Sequence, residues 1–173
     1  MKYLSHSDLV KIAAHWLSGS MKCGAVLTEI GDTEKPDAIG WKATHSILVE
    51  CKVTRSDFLI DRKKEFRIHP DKGVGKYRFY LAPKCLLDAK EVQAVGWGLL
   101  ETVGNRVRIV VPSPLFLKRN WKREARLLYT GLQRVQFHIS RPIHEVVAWS
   151  NNNVMEPVIH EGEVFDATKE WML

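Results

Sequence analysis

The sequence predicts an α/β fold of the α+β kind, with a central mixed sheet and flanking helices. Three observations carry this prediction. Leu9, Ile12, Ala13, Trp16 and Leu17 recur at the spacing of one buried helix face. Ile47-Leu48-Val49 is the apolar centre of a short strand, and 25–30 is a second apolar, β-branched run. The two kinds of element then alternate in the order αβββαβ, with more elements behind.

Each element has a local cause. Ser5 and Asp8 have capping-box spacing ahead of the first helix, and Gly19 stands where that helix is expected to end. Strands follow over 25–30, 37–41 and 45–52. The turn from Gly31 to Pro36 separates the first two, and Pro36 fixes the backbone before the second. Thr54 and Asp57 have the spacing to cap a helix over 55–67, with Phe58, Leu59 and Phe66 as its buried stripe. A fourth strand is expected over 77–81, a short helix over 86–95, and a hairpin of strands over 97–102 and 106–111. Pro112 and Pro114 mark the next boundary. A core over 1–112 is therefore expected, followed by an extension over 113–173 made of a basic helix (115–132) and an acidic tail.

Charge narrows the partners. The net charge is +6, but residues 142–173 carry −5 and residues 1–141 carry +11. A surface this basic attracts polyanions, and DNA is the expected one. No apolar run is long enough to span a membrane, and Asp8, Lys11 and His15 interrupt any signal-like stretch. Three widely spaced cysteines suit a reducing cytoplasm and exclude a disulfide framework. Gly73-Val74-Gly75-Lys76 lacks the P-loop pattern, and the histidines form no zinc motif. Cys51 lies among apolar neighbours, which makes it a poor nucleophile.

The chemistry concentrates between residues 29 and 52. Side chains alternate along a strand, so Glu50 and Lys52 share one side while Ile47, Val49 and Cys51 share the other. Asp37 opens the strand before it. If the two pair as a hairpin, Asp37 lands beside Glu50 or Lys52. Two carboxylates so close repel, and a divalent cation relieves the repulsion. Hard oxygen ligands suit Mg²⁺, with Mn²⁺ as a substitute. Lys52 beside the ion can hold a water or stabilise charge on a phosphate. Both acids are expected at strand ends, where truncation spares the core.

Pro36-Asp37 followed by Glu50-Cys51-Lys52 resembles the PD-(D/E)xK nuclease superfamily, whose restriction-endonuclease-like core has the same αβββαβ order. The text from Leu27-Thr28-Glu29 through Ser56-Asp57-Phe58, Asp61-Arg62-Lys63 and Arg78-Phe79-Tyr80 looks most like its short bacterial and phage members, the MmcB-like DNA-repair proteins. The resemblance covers roughly residues 5–112 and implies a Mg²⁺-dependent deoxyribonuclease acting in repair, processing or phage biology. It implies Asp37 and Glu50 as catalytic metal ligands, with the Cys51 carbonyl and Glu29 as further ones. It implies Lys52 as the residue that positions or activates the attacking water.

Beside this stand weaker expectations. Lys76, Tyr77 and the basic run Lys118, Arg119, Lys122 and Arg123 are candidate DNA contacts. Asp57 is expected to act as a helix cap, and Asp61 and Lys64 to lie on a solvated helix face. A homodimer suits cleavage of both strands, and the acidic tail suits a protein partner. The alternative function is a non-cleaving DNA-binding adaptor on the same fold, with a protein-binding regulator behind it. An intact Asp37, Glu50 and Lys52 set favours the nuclease, since acids alone repel phosphate.

Overall fold

A computed structural model of the chain describes residues 4–31, 34–104 and 106–138. The acidic tail lies outside the described residues.

The first helix, α1 (His6–His15), is opened by the capping box, with reciprocal bonds between Ser5 and Asp8. It does not stop at Gly19 as a plain helix end. It loosens into a π turn over Trp16–Ser20. Strands β1 (Ala25–Thr28), β2 (Ala38–Trp41) and β3 (Ser46–Cys51) follow. Helices α2 (Arg55–Asp61) and α3 (Glu65–Ile68) replace the single helix expected over 55–67. Then come β4 (Tyr77–Pro83), α4 (Ala89–Ala94), β5 (Gly98–Val103), β6 (Arg106–Val111) and α5 (Trp121–His138).

The six strands form one mixed sheet in the order of the chain. The pairs β1–β2, β2–β3 and β5–β6 are antiparallel, while β3–β4 and β4–β5 are parallel. The parallel pairs sit in the middle and are buried on both faces, as such pairs require. On one face α1 and the π turn pack Leu9, Ala13 and Leu17 against Ile47, Val49, Cys51 and Leu81. On the other, Phe58, Val92, Trp97 and Leu127 pack against Leu48 and Tyr80. No helix among the described residues is long and apolar enough to cross a membrane.

The basic helix begins later than the sequence suggested. Residues 112–120 run outside helix along the sheet, where Phe116 N–H donates to Lys76 O and Asn120 N–H to Gly73 O, each at 2.9 Å. Those bonds, after two prolines, hold the segment extended until Trp121. α5 then rejoins the core. Leu127 is buried in it, and Glu124 Oε1 accepts the Gly75 N–H at 2.8 Å. The boundary expected at residue 112 therefore marks the end of the sheet, while α5 packs on the same core.

Candidate active site

The register of β2 and β3 brings the expected residues together. Ala38 pairs with Val49, which places Asp37 at the end of β3. Asp37 Oδ2 accepts the Cys51 N–H at 2.7 Å, so a side chain extends the ladder beyond the last strand residue. A strand residue's N–H and C=O point the same way, which turns the Cys51 carbonyl toward Asp37 as well. Glu50 and Lys52 lie on the face covered by α2 and α3, and the Cys51 side chain lies on the α1 face. This is the division that strand alternation predicted.

The surroundings are more charged and more buried than the sequence suggested. Glu50, Lys52, Asp61 and Arg67 are 3%, 6%, 1% and 7% exposed. Lys52 Nζ sits 3.5 Å from both Glu50 Oε2 and Asp61 Oδ1, over the ring of Tyr80. Asp61 Oδ2 accepts from Arg67 Nε at 2.8 Å and from the Tyr80 hydroxyl at 2.9 Å. Arg67 Nη1 donates to Glu34 Oε1 at 2.8 Å, and Nη2 lies 3.0 Å from Glu50 Oε1. The guanidinium stands over Trp97, 4.6 Å from the ring centroid.

The break between α2 and α3 makes this possible. In a continuous helix, residues six apart lie about 240° apart around the axis, so Asp61 and Arg67 could not meet. Lys63 and Lys64 N–H groups instead donate to Ile60 O and Asp61 O, tightening the last turn. Lys64 is extended, and α3 restarts with Arg67 turned inward. Asp61 is thus a buried member of the site, not part of a solvated face. Thr54 has the capping role: its Oγ1 accepts the Asp57 N–H at 3.2 Å.

Electrostatics follow from burial and pairing. Burial pushes the Glu50 carboxyl up to about 7 despite the pull of Arg67, and the nearby Asp37 charge adds to the rise. Burial would raise Asp61 too, but Arg67 and Lys52 outweigh it and hold the carboxyl well below its ordinary range. Burial and the Asp61 charge keep the Tyr80 hydroxyl protonated as a donor. The Cys51 thiol is also pushed up by burial, which removes it as a side-chain ligand or nucleophile.

A cation fits this donor set in one way. Among the described residues, no three histidine, cysteine or carboxylate side chains converge as a metal cage. Mg²⁺ does not need one, because it keeps several waters and takes one or two carboxylates. Asp37 and Glu50 would supply those, and the Cys51 carbonyl would supply a third hard oxygen. Glu50 Oε1 is buried without an aligned hydrogen bond, but it faces the Arg67 guanidinium at 3.0 Å and is compensated from that side.

Of the other expected residues, Glu29 stands beside Asp37, whose carbonyl accepts the Glu29 N–H at 3.2 Å, and the rest are placed apart. Glu29 is half-exposed and lies 4.0 Å from His6 Nε2, which also reaches Asp37 Oδ1 at 3.4 Å. Lys76 and Tyr77 precede or begin β4 at its far end. Tyr77 pairs with Ile47, three residues before Glu50, about 10 Å along the strand. They do not join the site. Lys118 and Lys122 are exposed. Arg119 Nε donates to Glu124 Oε1 at 3.0 Å, and Arg123 Nη1 donates to Lys72 O at 3.2 Å. The sequence reading missed His6, Glu34 and Arg67. The acidic turn before Pro36 was the available signal for Glu34. Nothing local marks Arg67.

No family profile and no curated protein matches this chain. A solved structure of a protein of unknown function from Silicibacter pomeroyi is similar, with a TM-score of 0.54 at 19% identity. The likeness covers 78% of this chain and 94% of that one, and it is a likeness of fold.

Proposed function

We propose that the protein is a Mg²⁺-dependent deoxyribonuclease of the PD-(D/E)xK type, hydrolysing phosphodiester bonds in DNA repair, processing or phage biology in the cytoplasm. One observation carries the reading: Asp37, Glu50 and Lys52 meet at the end of β3, on an αβββαβ core. The ion, when bound, supplies Lewis-acid polarisation of the phosphate and acidifies a bound water. Asp37 and Glu50 would hold it beside Lys52. Lys52 orients the water and offsets negative charge as it builds on the phosphate. Asp61 fixes Lys52 in place, and Tyr80 with Arg67 fixes Asp61. The acids repel DNA until the ion is present, so binding and cleavage share one requirement.

A second reading has its own observation. Glu50 already faces two cations, Lys52 and Arg67, which suits a DNA-binding adaptor that does not cut. Incubation with single- and double-stranded DNA in Mg²⁺, Mn²⁺ or EDTA separates the two. The nuclease reading expects cleavage in either metal, loss in EDTA, and loss in Asp37→Asn with little change in thermal stability. DNA retention with no cleavage in any metal would favour the adaptor.

A further inference from the structure

Two-ion phosphodiesterases hold their ions roughly 3.5–4 Å apart, with carboxylate oxygens around both. Here Glu50 faces Arg67 with one oxygen and Lys52 with the other, and two cation positions can be drawn beside it. Asp37 shares the first with it. The second lies among Glu34, Glu50 and Asp61, and the Arg67 guanidinium fills it, 2.8–3.0 Å from an oxygen of each. We infer that Arg67 is an internal cation standing where a second divalent ion would sit, so that the site admits one ion, beside Asp37. The inference rests on the nuclease reading only for that first ion.

Several independent features fix Arg67 there. Its side chain is 3% exposed, and those of Glu34, Glu50 and Asp61 are 1–4% exposed, so these charges have no solvent to screen them. The break between α2 and α3 exists at the point that turns it inward. Trp97 supports the face of the guanidinium, an arrangement that suits a planar cation. Glu34 gives Oε1 to Arg67, while its second oxygen accepts the Val74 N–H at 3.1 Å and faces Arg123 Nη1 at 3.8 Å. A fixed cation of single charge would give the site permanent compensation for Glu50 and Asp61 without a second metal. It would also keep the three carboxylates too far apart to capture one.

Calorimetric titration of the full chain with MnCl₂ tests this by counting ions, in parallel with Arg67→Ala. Removing the guanidinium should open a place for a cation among Glu34, Glu50 and Asp61, so the variant should bind one more ion than the parent. One ion against two supports both the inference and the nuclease site. None against one supports Arg67 as an internal cation and removes the proposed ion beside Asp37. One ion in each overturns the inference and leaves the nuclease reading standing, and none in either overturns the inference and removes the ion beside Asp37. If Arg67→Ala does not fold without metal, recovery of its thermal transition by Mn²⁺ counts as the added site. If it does not fold at all, crystals of the parent soaked in Mn²⁺ decide by anomalous scattering. A peak among Glu34, Glu50 and Asp61 would overturn the inference, and a map without one there upholds it.

Discussion

Asp37 serves two purposes with its two oxygens. Oδ2 is committed to the Cys51 N–H, and Oδ1 faces His6 and the proposed ion. Its truncation is therefore not neutral for the fold, contrary to what a strand-end position suggests. Asp37→Ala strands a part-buried amide and should cost roughly 1–3 kcal/mol in denaturant titration. Asp37→Asn keeps an acceptor for that amide, so it should lose Mn²⁺ binding with little change in stability. Lys52 is the sharper probe. Lys52→Ala should cut cleavage by roughly 10²–10⁴-fold while Mn²⁺ affinity holds or rises. Because Lys52 sits between two buried carboxylates, the variant should also lose about 3–5 kcal/mol, far more than an exposed pair is worth. Lys52→Arg should not restore turnover, since a planar fork cannot replace a point ammonium. Cleavage by Lys52→Ala at the parental rate would end the nuclease assignment.

α5 is tied to the core by a buried carboxylate as well as by apolar packing. Glu124 Oε1 accepts both the Gly75 N–H and Arg119 Nε, beside the buried Leu127. Glu124→Ala leaves the buried Gly75 amide without its acceptor, and unfolding should come about 1–3 kcal/mol sooner at an unchanged m-value. At this level the sequence was a good guide to identity and a poorer one to boundaries. Capping residues and periodicity place α1, α2, β3 and the β5–β6 hairpin, because their causes are local. The gap between α2 and α3 has no local cause. Arg62, Lys63, Lys64 and Glu65 are all good helix formers, and neither glycine nor proline stands among them. The break is set by what Arg67 gains from acids that lie 6, 17 and 33 residues away in sequence. For the same reason Asp61 reads as a solvated helix position until the fold is seen. Deleting Lys63 offers a check on this account. It shortens the break by one residue, so Arg67 can no longer reach Asp61, Glu50 and Glu34 together, and a large fall in thermal midpoint should follow.

The whole molecule carries +6, and its excess of positive charge lies before residue 142. If about five phosphates are contacted, log K for duplex DNA should fall against log salt with a slope near −4 to −5. A flat response in filter binding would remove DNA as the main partner and return attention to a protein ligand. The sheet order limits where those phosphates run. Lys76 and Tyr77 stand at the opposite end of β3 and β4 from Glu50, so Lys76→Ala should weaken binding without altering the cleavage rate of bound DNA. Single-turnover cleavage at saturating protein measures that separation.

Glu34, Glu50, Asp61 and Arg67 also constrain how this chain can change over time. Each neutralises or anchors another inside the protein, so losing one alone leaves an uncompensated charge in the interior. Stepwise drift through single substitutions is then blocked, and the set can be exchanged only in concert. A descendant that abandoned catalysis would keep these four for the sake of its fold. Asp37→Asn is an open route by comparison, because the amide at Cys51 retains an acceptor. Retention of an aspartate at that position, rather than of the buried quartet, is therefore the mark by which an active descendant can be told from an inactive one.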